Sequence, residues 1–583
     1  MIDVRFQLGE YADAVAARLA TWEDEDAAGR LWRRDTTLWS PDPATPELTN
    51  RLGWLDLPEI AEALLTDLGV LVDSVAPWMT DLVLLGMGGS SLAPEVLARA
   101  IGGGGGLPLT VMDTTHPQTV RDMEWLHPAN TLFVVASKSG TTLETLSLFR
   151  HFWSRVQEVS DSPGEHFVAI TDPGSPLADL GRDRGFLAVV EAPPDVGGRF
   201  SALGPFGLVP AAIMGIELAP LVGAAAEAAE VCREPATDNP GLRLGAALAE
   251  LAAAGRDKVT FVTSNPFEAV PDWVEQLIAE STGKDGKGII PVAHEFPFEP
   301  DMYGDDRLFV GIVSPAEAIG EAEQWGETDD SIRRLDALAA AGHPIVRLEV
   351  DAIEDLLGLF FVWEVAVAMA GSAMDVHPFN QPDVQLAKEL ARRAMAGEPG
   401  DSRESDETAE ESTQAEDGEL DLAWDVPFYG HAGSSAGGAD VDELANHVDR
   451  FLGMVEPGDY VAIQAYLPGG GAEELESLTA LRKAITAATG AATTLGYGPR
   501  FLHSTGQLHK GGPGSGVFLQ LADDAGAHVP VPGTEYTFHQ LIRAQARGDF
   551  EAMEERGRRV MRVRVAPPSE GISRLIQLIE REA

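Results

Sequence analysis

The feature that most constrains this chain is a regular alternation of short apolar runs with helix-length segments between residues 81 and 190. Strands separated by segments of helical length are typical of a parallel, doubly wound sheet. A second series of the same kind follows a helical stretch near residues 210–251. The predicted strands are 82–86, 108–112, 131–136, 166–170 and 186–190 in the first series, and 258–262, 289–293, 307–313 and 344–350 in the second.

Two predicted strands end in turns that are rich in hydroxyl groups and glycine. Residues 131–136 lead into Ser-Lys-Ser-Gly-Thr-Thr at 137–142, and residues 82–86 lead into Met-Gly-Gly-Ser-Ser at 87–91. A helical pattern follows each turn, so hydroxyls and backbone N–H groups collect at a helix N-terminus, where phosphates bind. One such turn is common in α/β proteins. Two at the carboxyl ends of strands in one sheet are more specific, and they predict a phosphate site.

A third run, Ala-Glu-Ser-Thr-Gly-Lys at 279–284, places Glu280 among small polar residues. A carboxylate in such a setting is typical of a group that moves a proton. Gln276, four residues earlier, is expected on the same helical face. The alternative is a solvated glutamate on a helix surface, because acidic residues are abundant in this chain. The neighbouring Ser-Thr-Gly-Lys favours the catalytic interpretation.

Composition limits the possible partners. The chain has 583 residues, with 92 acidic and 42 basic residues and a net charge of −50. Nucleic acids and anionic lipids require a positive face, so neither is expected as a partner. The single cysteine, Cys232, excludes an internal disulfide and a cysteine-based metal cluster. No unbroken apolar run of membrane-spanning length and no signal-peptide pattern is present, which predicts a soluble, cytoplasmic protein without a membrane partner.

The composition changes sharply after the second series of strands. Residues 397–425 are rich in acids and poor in apolar residues, which predicts a disordered linker. A third segment follows, with strand-like runs at 460–464 and 516–520 and a helix near 475–489, and the residues after Thr537 are expected to be helical. The predicted organisation is an N-terminal helical region (1–79), two α/β domains (80–220 and 221–396), the acidic linker (397–425) and a C-terminal α/β region (426–583).

Five motifs occur in order along the chain: GMGGSSLAPE (86–95), SKSGTTLET (137–145), GGRFSALGPFGL (197–208), EQLIAESTGK (275–284) and HPFNQPDVQLAK (377–388). In this order they resemble motifs of the phosphoglucose isomerases, which are built from a pair of doubly wound parallel-sheet sugar-isomerase (SIS) domains. The C-terminal runs AYLP and FLHSTGQLHKGGP are more similar to the isomerase half of bacterial fusions between transaldolase and phosphoglucose isomerase.

The resemblance implies a role for each matching residue. Glu280 corresponds to the base that carries a proton between C2 and C1, Arg199 to the residue that stabilises the enediolate, and Lys388 to a residue that helps to open the sugar ring. Gly140 stands where many members have a bulkier residue, which predicts a looser loop. The implied substrate-binding residues are Gly89, Ser90, Ser137, Lys138, Ser139, Thr142 and Gln276.

The ring-opening histidine departs from the family pattern. In short bacterial members it lies in an LHS-x-GQ run between the glutamate and the lysine, whereas here that run occurs at 502–507, after Lys388. We therefore predict that His503 fills the role from a relocated segment. His509 is the first alternative and His377, in the lysine motif, the second. A metal site at His503 and His509 is not supported, because no further ligands cluster around them.

The sequence thus predicts an aldose–ketose isomerase that interconverts glucose 6-phosphate and fructose 6-phosphate without a cofactor or a metal. The resemblance also implies a homodimer, since family members place the histidine in the neighbouring subunit's site. Two alternatives stay open: a non-catalytic SIS regulator that binds a sugar phosphate, and an isomerase of another hexose phosphate such as mannose 6-phosphate.

Overall fold

The computed structural model describes residues 2–42, 44–314, 330–384, 423–426, 441–526 and 528–582. The chain forms two compact units. The first unit comprises Met1–Asp113, Leu126–His294 and Asp305–Gln381. The second unit comprises Thr114–Trp125, Glu295–Gly304 and Pro382–Ala583.

The first unit contains two five-stranded sheets. The strands are β1 (Ile2–Gln7), β2 (Asp81–Leu85), β3 (Leu109–Met112), β4 (Thr131–Ala136), β5 (Phe167–Thr171), β6 (Ala188–Glu191), β7 (Lys258–Thr263), β8 (Ile290–Val292), β9 (Arg307–Val313) and β10 (Ile345–Val350). One sheet has the strand order β3-β2-β4-β5-β6 and is parallel throughout, and the other has the order β1-β10-β9-β7-β8.

Strand β1 lies outside the predicted series, in a region expected to be helical. It pairs with β10 antiparallel, with Ile2 opposite Val350 and Gln7 opposite Ile345, while the other strands of that sheet are parallel. Alternation puts Val4 in the core, and Arg5 forms an ion pair with Glu349 on the partner strand. An antiparallel edge strand can come from a distant part of the chain, because it needs no crossover helix.

Helices cover both sheets, and one of them is almost completely buried. In the Leu356–Ala373 helix, all residues from Leu356 to Gly371 are buried, and it packs against the Leu218–Val231 and Pro240–Ala253 helices. In the described part of the chain, only Ile353–Ala373 is long and apolar enough to cross a membrane, and 89% of its most apolar window is buried inside the protein, as in a core helix. The helices of the first unit are Ala12–Asp24, Ala27–Trp32, Leu57–Ser74, Leu92–Ile101, Leu143–Gln157, Pro176–Asp183, Pro205–Ile213, Leu218–Val231, Pro240–Ala253, Val270–Thr282, Ser331–Ala340 and Leu356–Ala373.

The second unit is built on a third sheet. Its strands are β11 (Ala423–Val426), β12 (Tyr460–Tyr466), β13 (Ala492–Tyr497), β14 (Gly516–Ala522) and β15 (Arg559–Arg564). This sheet is parallel, with the strand order β11-β15-β14-β12-β13. Its helices are Pro117–Asp122, Val441–Leu452, Ala472–Thr489, Gly506–Gly511, Phe538–Glu555 and Pro568–Glu582. The prediction of continuous helix after Thr537 is wrong at β15, which pairs with β14.

The α/β fold class predicted from the sequence is confirmed, since nearly all strand pairs in the three sheets are parallel and helices connect them. Each of the nine strands predicted in the first unit is present, with bounds that differ by no more than two residues. Most of the predicted acidic linker lies outside the described residues, so its predicted disorder stays a prediction.

Candidate active site

The two hydroxyl-rich turns lie at adjacent strand ends of the first sheet. Strands β2 and β4 pair directly, with Leu85 opposite Val135, and both turns follow their carboxyl ends. The chain leaves β2 for β3 on one side and returns to β4 on the other, so the strand order reverses between them. Ligands of open α/β sheets bind at such a reversal point. The sequence prediction that these turns share one edge is therefore confirmed.

The turn at residues 137–142, called here the hydroxyl loop, is ordered by its own side chains. The hydroxyls of Ser137 and Thr142 are 2.8 Å apart, and those of Ser139 and Thr141 are 2.9 Å apart. Gly140 has a φ of +67°, and a Cβ on it would lie 2.8 Å from the backbone nitrogen of Leu177. The prediction that Gly140 loosens the loop is wrong, because this conformation and close packing require glycine.

Lys138, in the same loop, is held by an acidic partner. Its Nζ donates to both carboxylate oxygens of Asp172 at 2.8 Å and to the carbonyl oxygen of Pro194 at 3.1 Å. Burial raises the pKa of the Asp172 carboxyl, and the positive charges of Lys138 and Arg51 oppose that rise. The ammonium charge of Lys138 is thus largely neutralised within the protein.

The Gly-Gly-Ser turn after β2 packs closely against the turn that carries Arg199. A Cβ on Gly89 would lie 2.2 Å from the carbonyl oxygen of Gly198, so only glycine permits this approach. Ser201 donates to the carbonyl oxygen of Gly198 at 2.6 Å. Ser90 is partly exposed beside this contact. The backbone contact therefore sets the position of Arg199 relative to the first hydroxyl-rich turn.

Arg199 is buried, with 3% of its surface exposed, and its guanidinium is surrounded by acceptors. It donates to the Ser281 hydroxyl at 2.8 Å, to the Gln381 side chain at 3.0 Å and to the backbone oxygens of Pro378 and Asn380. Burial lowers the pKa of Arg199, and the negative charge of Glu280 opposes this. An arginine stays protonated under these conditions, so the site holds a buried positive charge.

Glu280 lies within reach of that charge. Its Oε2 is 3.4 Å from Nη1 of Arg199 and accepts a hydrogen bond from Nε2 of Gln276 at 3.2 Å. Glu280 and Gln276 share one face of the Val270–Thr282 helix, as their four-residue spacing predicts. A buried carboxylate beside a buried guanidinium can move a proton at a carbon while the cation stabilises the negative charge that develops.

Lys284, two residues after the end of the same helix, fixes the turn at residues 377–381. Its Nζ donates to the backbone oxygens of His377 at 2.6 Å and Asn380 at 2.7 Å. The His377 ring is committed to backbone groups, since Nε2 lies 3.0 Å from the Pro46 oxygen and Nδ1 accepts from the Phe379 nitrogen at 3.3 Å. Through these bonds, the His377 ring stabilises this turn.

In the second unit, the two candidate histidines in and just after the LHSTGQ segment differ in burial. His509 is buried, with Nδ1 3.1 Å from the Gln464 amide, and burial lowers the pKa of His509 well below its ordinary value. The adjacent Lys510 forms a buried ion pair with Asp549. His503 is only partly buried, at the end of a short 3₁₀ turn. Of the two, His503 has the access that a substrate contact requires.

The same segment binds Asp383 of the lysine motif. Gln507 accepts a hydrogen bond from the Asp383 nitrogen at 2.9 Å and donates to the Asp383 carboxylate at 2.6 Å, and Arg556 forms an ion pair with that carboxylate. Asp383 stands where the family motif has a glycine, and its carboxylate binds Gln507 and Arg556, which a glycine could not do. Lys388 itself lies outside the described residues, so its predicted role stays a prediction.

Several residues of this site were not among the sequence candidates. Ser281, Asn380 and Gln381 flank motif positions that were assigned, so proximity in the sequence was their only signal. Arg51 comes from an N-terminal loop that matches no motif, and no sequence pattern pointed to it. Among the described residues, no group of three or more His, Cys, Asp or Glu side chains is arranged to hold a metal ion.

The sequence of this chain is similar to those of known sugar-phosphate enzymes. The family model for phosphoglucose isomerase matches residues 67–288. A glucose-6-phosphate isomerase of Rubrobacter xylanophilus is 31% identical over 445 residues, which cover 69% of this chain and 99% of the relative. This chain belongs to the phosphoglucose isomerase family.

Solved structures agree with the family assignment. A hypothetical protein of Thermus thermophilus is 27% identical, with a TM-score of 0.59, and covers 68% of this chain and 100% of its own. A glucose-6-phosphate isomerase of Chlamydia trachomatis is 19% identical, with a TM-score of 0.52, and covers 66% of this chain and 86% of its own. The second likeness supports the phosphoglucose isomerase fold alone.

Proposed function

We propose that this protein interconverts glucose 6-phosphate and fructose 6-phosphate. The observation that carries the proposal is the buried pair of Glu280 and Arg199, 3.4 Å apart, in a chain of the phosphoglucose isomerase family. An aldose–ketose isomerisation needs a base at C2 and a positive charge near the oxygens of the enediolate. These two side chains supply both.

The reaction begins with binding of the phosphate at the hydroxyl loop and the Gly-Gly-Ser turn. This binding positions the reacting carbons, which lie remote from the phosphate. His503 and Lys388 then open the sugar ring by proton transfer at the ring oxygen and the anomeric hydroxyl. The protein acts as a homodimer in this proposal, as family members do.

Glu280 then removes the proton from C2. Arg199 stabilises the cis-enediolate that forms, and Glu280 returns the proton to C1. Because the Arg199 guanidinium is already surrounded by fixed acceptors, little reorganisation is needed when negative charge develops beside it. Gln276 holds the glutamate carboxylate through the bond at 3.2 Å.

The experiment separates the two chemical stages. Ring opening and closing interconvert the α and β anomers of glucose 6-phosphate without deprotonating carbon, so NMR can follow anomerisation and isomerisation in one sample. Glu280→Gln is expected to lower isomerisation by about a hundredfold or more and to leave anomerisation nearly unchanged. His503→Ala is expected to lower both rates.

The controls are Glu268→Gln, an exposed glutamate just before the same helix, and His447→Ala in the second unit. Both should behave as the unmodified protein does. Near-normal isomerisation by Glu280→Gln would refute the mechanism, and normal anomerisation by His503→Ala would refute the role of that histidine. If the protein turned over mannose 6-phosphate but not glucose 6-phosphate, the substrate assignment would be wrong, and binding without turnover of either would support the regulator alternative.

A further inference from the structure

The hydroxyl loop lacks a cation that is available to a phosphate. Its lysine, Lys138, donates to both oxygens of Asp172 at 2.8 Å, so the pair is close to neutral. A sugar phosphate carries nearly two negative charges at neutral pH, and hydroxyls and N–H groups bind a phosphate without supplying a full positive charge that would neutralise it. A charged donor from elsewhere in the first unit would complete the site.

Arg51 reaches the same position from the N-terminal part of the chain. Its Nη1 donates to the Pro194 carbonyl oxygen at 3.4 Å, and Lys138 donates to that same oxygen at 3.1 Å. Its Nη2 donates to the Glu47 carboxylate at 3.0 Å. The Arg51 side chain is 20% exposed and that of Glu47 is 40% exposed, so solvent and ligands can reach this pair.

The loop that carries Arg51 is firmly docked beside the Arg199 turn. The backbone nitrogen of Gly53 donates to the Asp195 oxygen at 3.1 Å, and a Cβ on Gly53 would lie 2.4 Å from the Asp195 carboxylate. A larger residue at position 53 would therefore require the Asp195 side chain to move. The charge of Arg51 also acts on two neighbouring groups: burial raises the pKa of Asp172 and lowers that of Arg199, and the positive charge of Arg51 lowers both.

We propose that Arg51 binds the phosphate group of the substrate and exchanges its Glu47 partner for that group when substrate enters. A guanidinium can bind a phosphate through two parallel N–H···O bonds, which a lysine cannot do. Glu47 holds the guanidinium in place while the site is free and neutralises it. The identity of the sugar rests on the proposed function, whereas the anion-binding role of Arg51 does not.

The test compares three variants by two measurements: KM and kcat for glucose 6-phosphate, and calorimetric binding of inorganic phosphate to the full chain. Arg51→Ala is expected to raise KM and the Kd for phosphate by about tenfold or more, with a much smaller change in kcat. Arg51→Lys should recover only part of this loss. Glu47→Gln, which keeps Arg51 and removes its competitor, should tighten phosphate binding severalfold.

The matched control is Arg33→Ala. Arg33 forms an exposed ion pair with Asp26, and its removal changes the net charge by the same amount. The proposal is overturned if Arg51→Ala binds phosphate as Arg33→Ala does, or if Glu47→Gln weakens binding. If neither the unmodified protein nor any variant turned over glucose 6-phosphate, while phosphate binding changed as expected, the result would instead count against the proposed isomerase function. If Arg51→Ala did not fold, the outcome for Glu47→Gln would still decide.

Discussion

Arg199 contributes to the architecture of the candidate site as well as to its charge. Its guanidinium donates to backbone oxygens at residues 378 and 380 and also faces Glu280. A lysine could carry the same charge, but it could not satisfy this many acceptors in one plane. The cation to which we assign the catalytic role therefore also supports the turn at the start of the lysine motif.

Glu364 is a second buried charge-bearing residue, and it lies in the helical core of the first unit. It is fully buried in the Leu356–Ala373 helix, and neither carboxylate oxygen has a hydrogen-bond partner among the described residues. Burial raises the pKa of Glu364 well above its ordinary value. The folded protein thus keeps this carboxyl protonated at pH values where the unfolded chain ionises it, so the free energy of unfolding falls as the pH rises above the ordinary carboxyl pKa.

Replacing this group by an apolar one should remove that pH dependence. We expect Glu364→Met to raise the free energy of unfolding by about 1–3 kcal/mol at neutral pH, and by less near pH 4. Urea denaturation at several pH values measures this difference. A destabilised variant, or a gain that grows as the pH falls, would show that the carboxylate has a stabilising partner.

At the scale of elements, the strands of the first unit other than β1 were predictable because each is a short apolar run between helical segments. β15 was not, because three of its six residues are arginines and the stretch looks like a charged helix. The structure supplies partners that the sequence does not reveal: Arg559 pairs with Asp459, and Arg562 lies 5.7 Å from the ring centre of Phe550. The motifs located Glu280 and Arg199, but contacts between distant segments, such as that of Gln507 with Asp383, require the folded chain.

The contact of Gln507 with Asp383 leads to a prediction about the second unit. Asp383→Ala removes the acceptor of Gln507 and the ion-pair partner of Arg556, so we expect the free energy of unfolding of this unit to fall by about 1–3 kcal/mol. Amide hydrogen exchange in the Gly506–Gly511 helix should accelerate. Asp383→Asn should lie between, because an amide oxygen still accepts from Gln507. Asp524→Ala, at an exposed site, is the control, and equal behaviour of the two alanine variants would contradict the prediction.

At the scale of the whole molecule, the net charge of −50 opposes compaction. Salt screens such repulsion, since the Debye length falls from about 10 Å at 0.1 M to about 3 Å at 1 M. We expect the melting temperature to rise by several degrees between these concentrations of potassium chloride. Sucrose at matched osmolality should raise it less. A melting temperature that is unchanged or lower in salt would show that local ion pairs outweigh the overall repulsion.

Because β1 pairs with the distant strand β10, the two strands cannot pair until most of the first unit has been synthesised. During synthesis at roughly 5–20 residues per second, β1 is made some tens of seconds before its partner strand, Ile345–Val350. Until β10 has been made, β1 has no partner strand and Val4 cannot be buried as it is in the folded protein. An unpaired strand of this kind can pair with a neighbouring polypeptide. Asp3 and Arg5 alternate with the apolar residues of β1, and their charges disfavour such intermolecular pairing while the strand is unpaired.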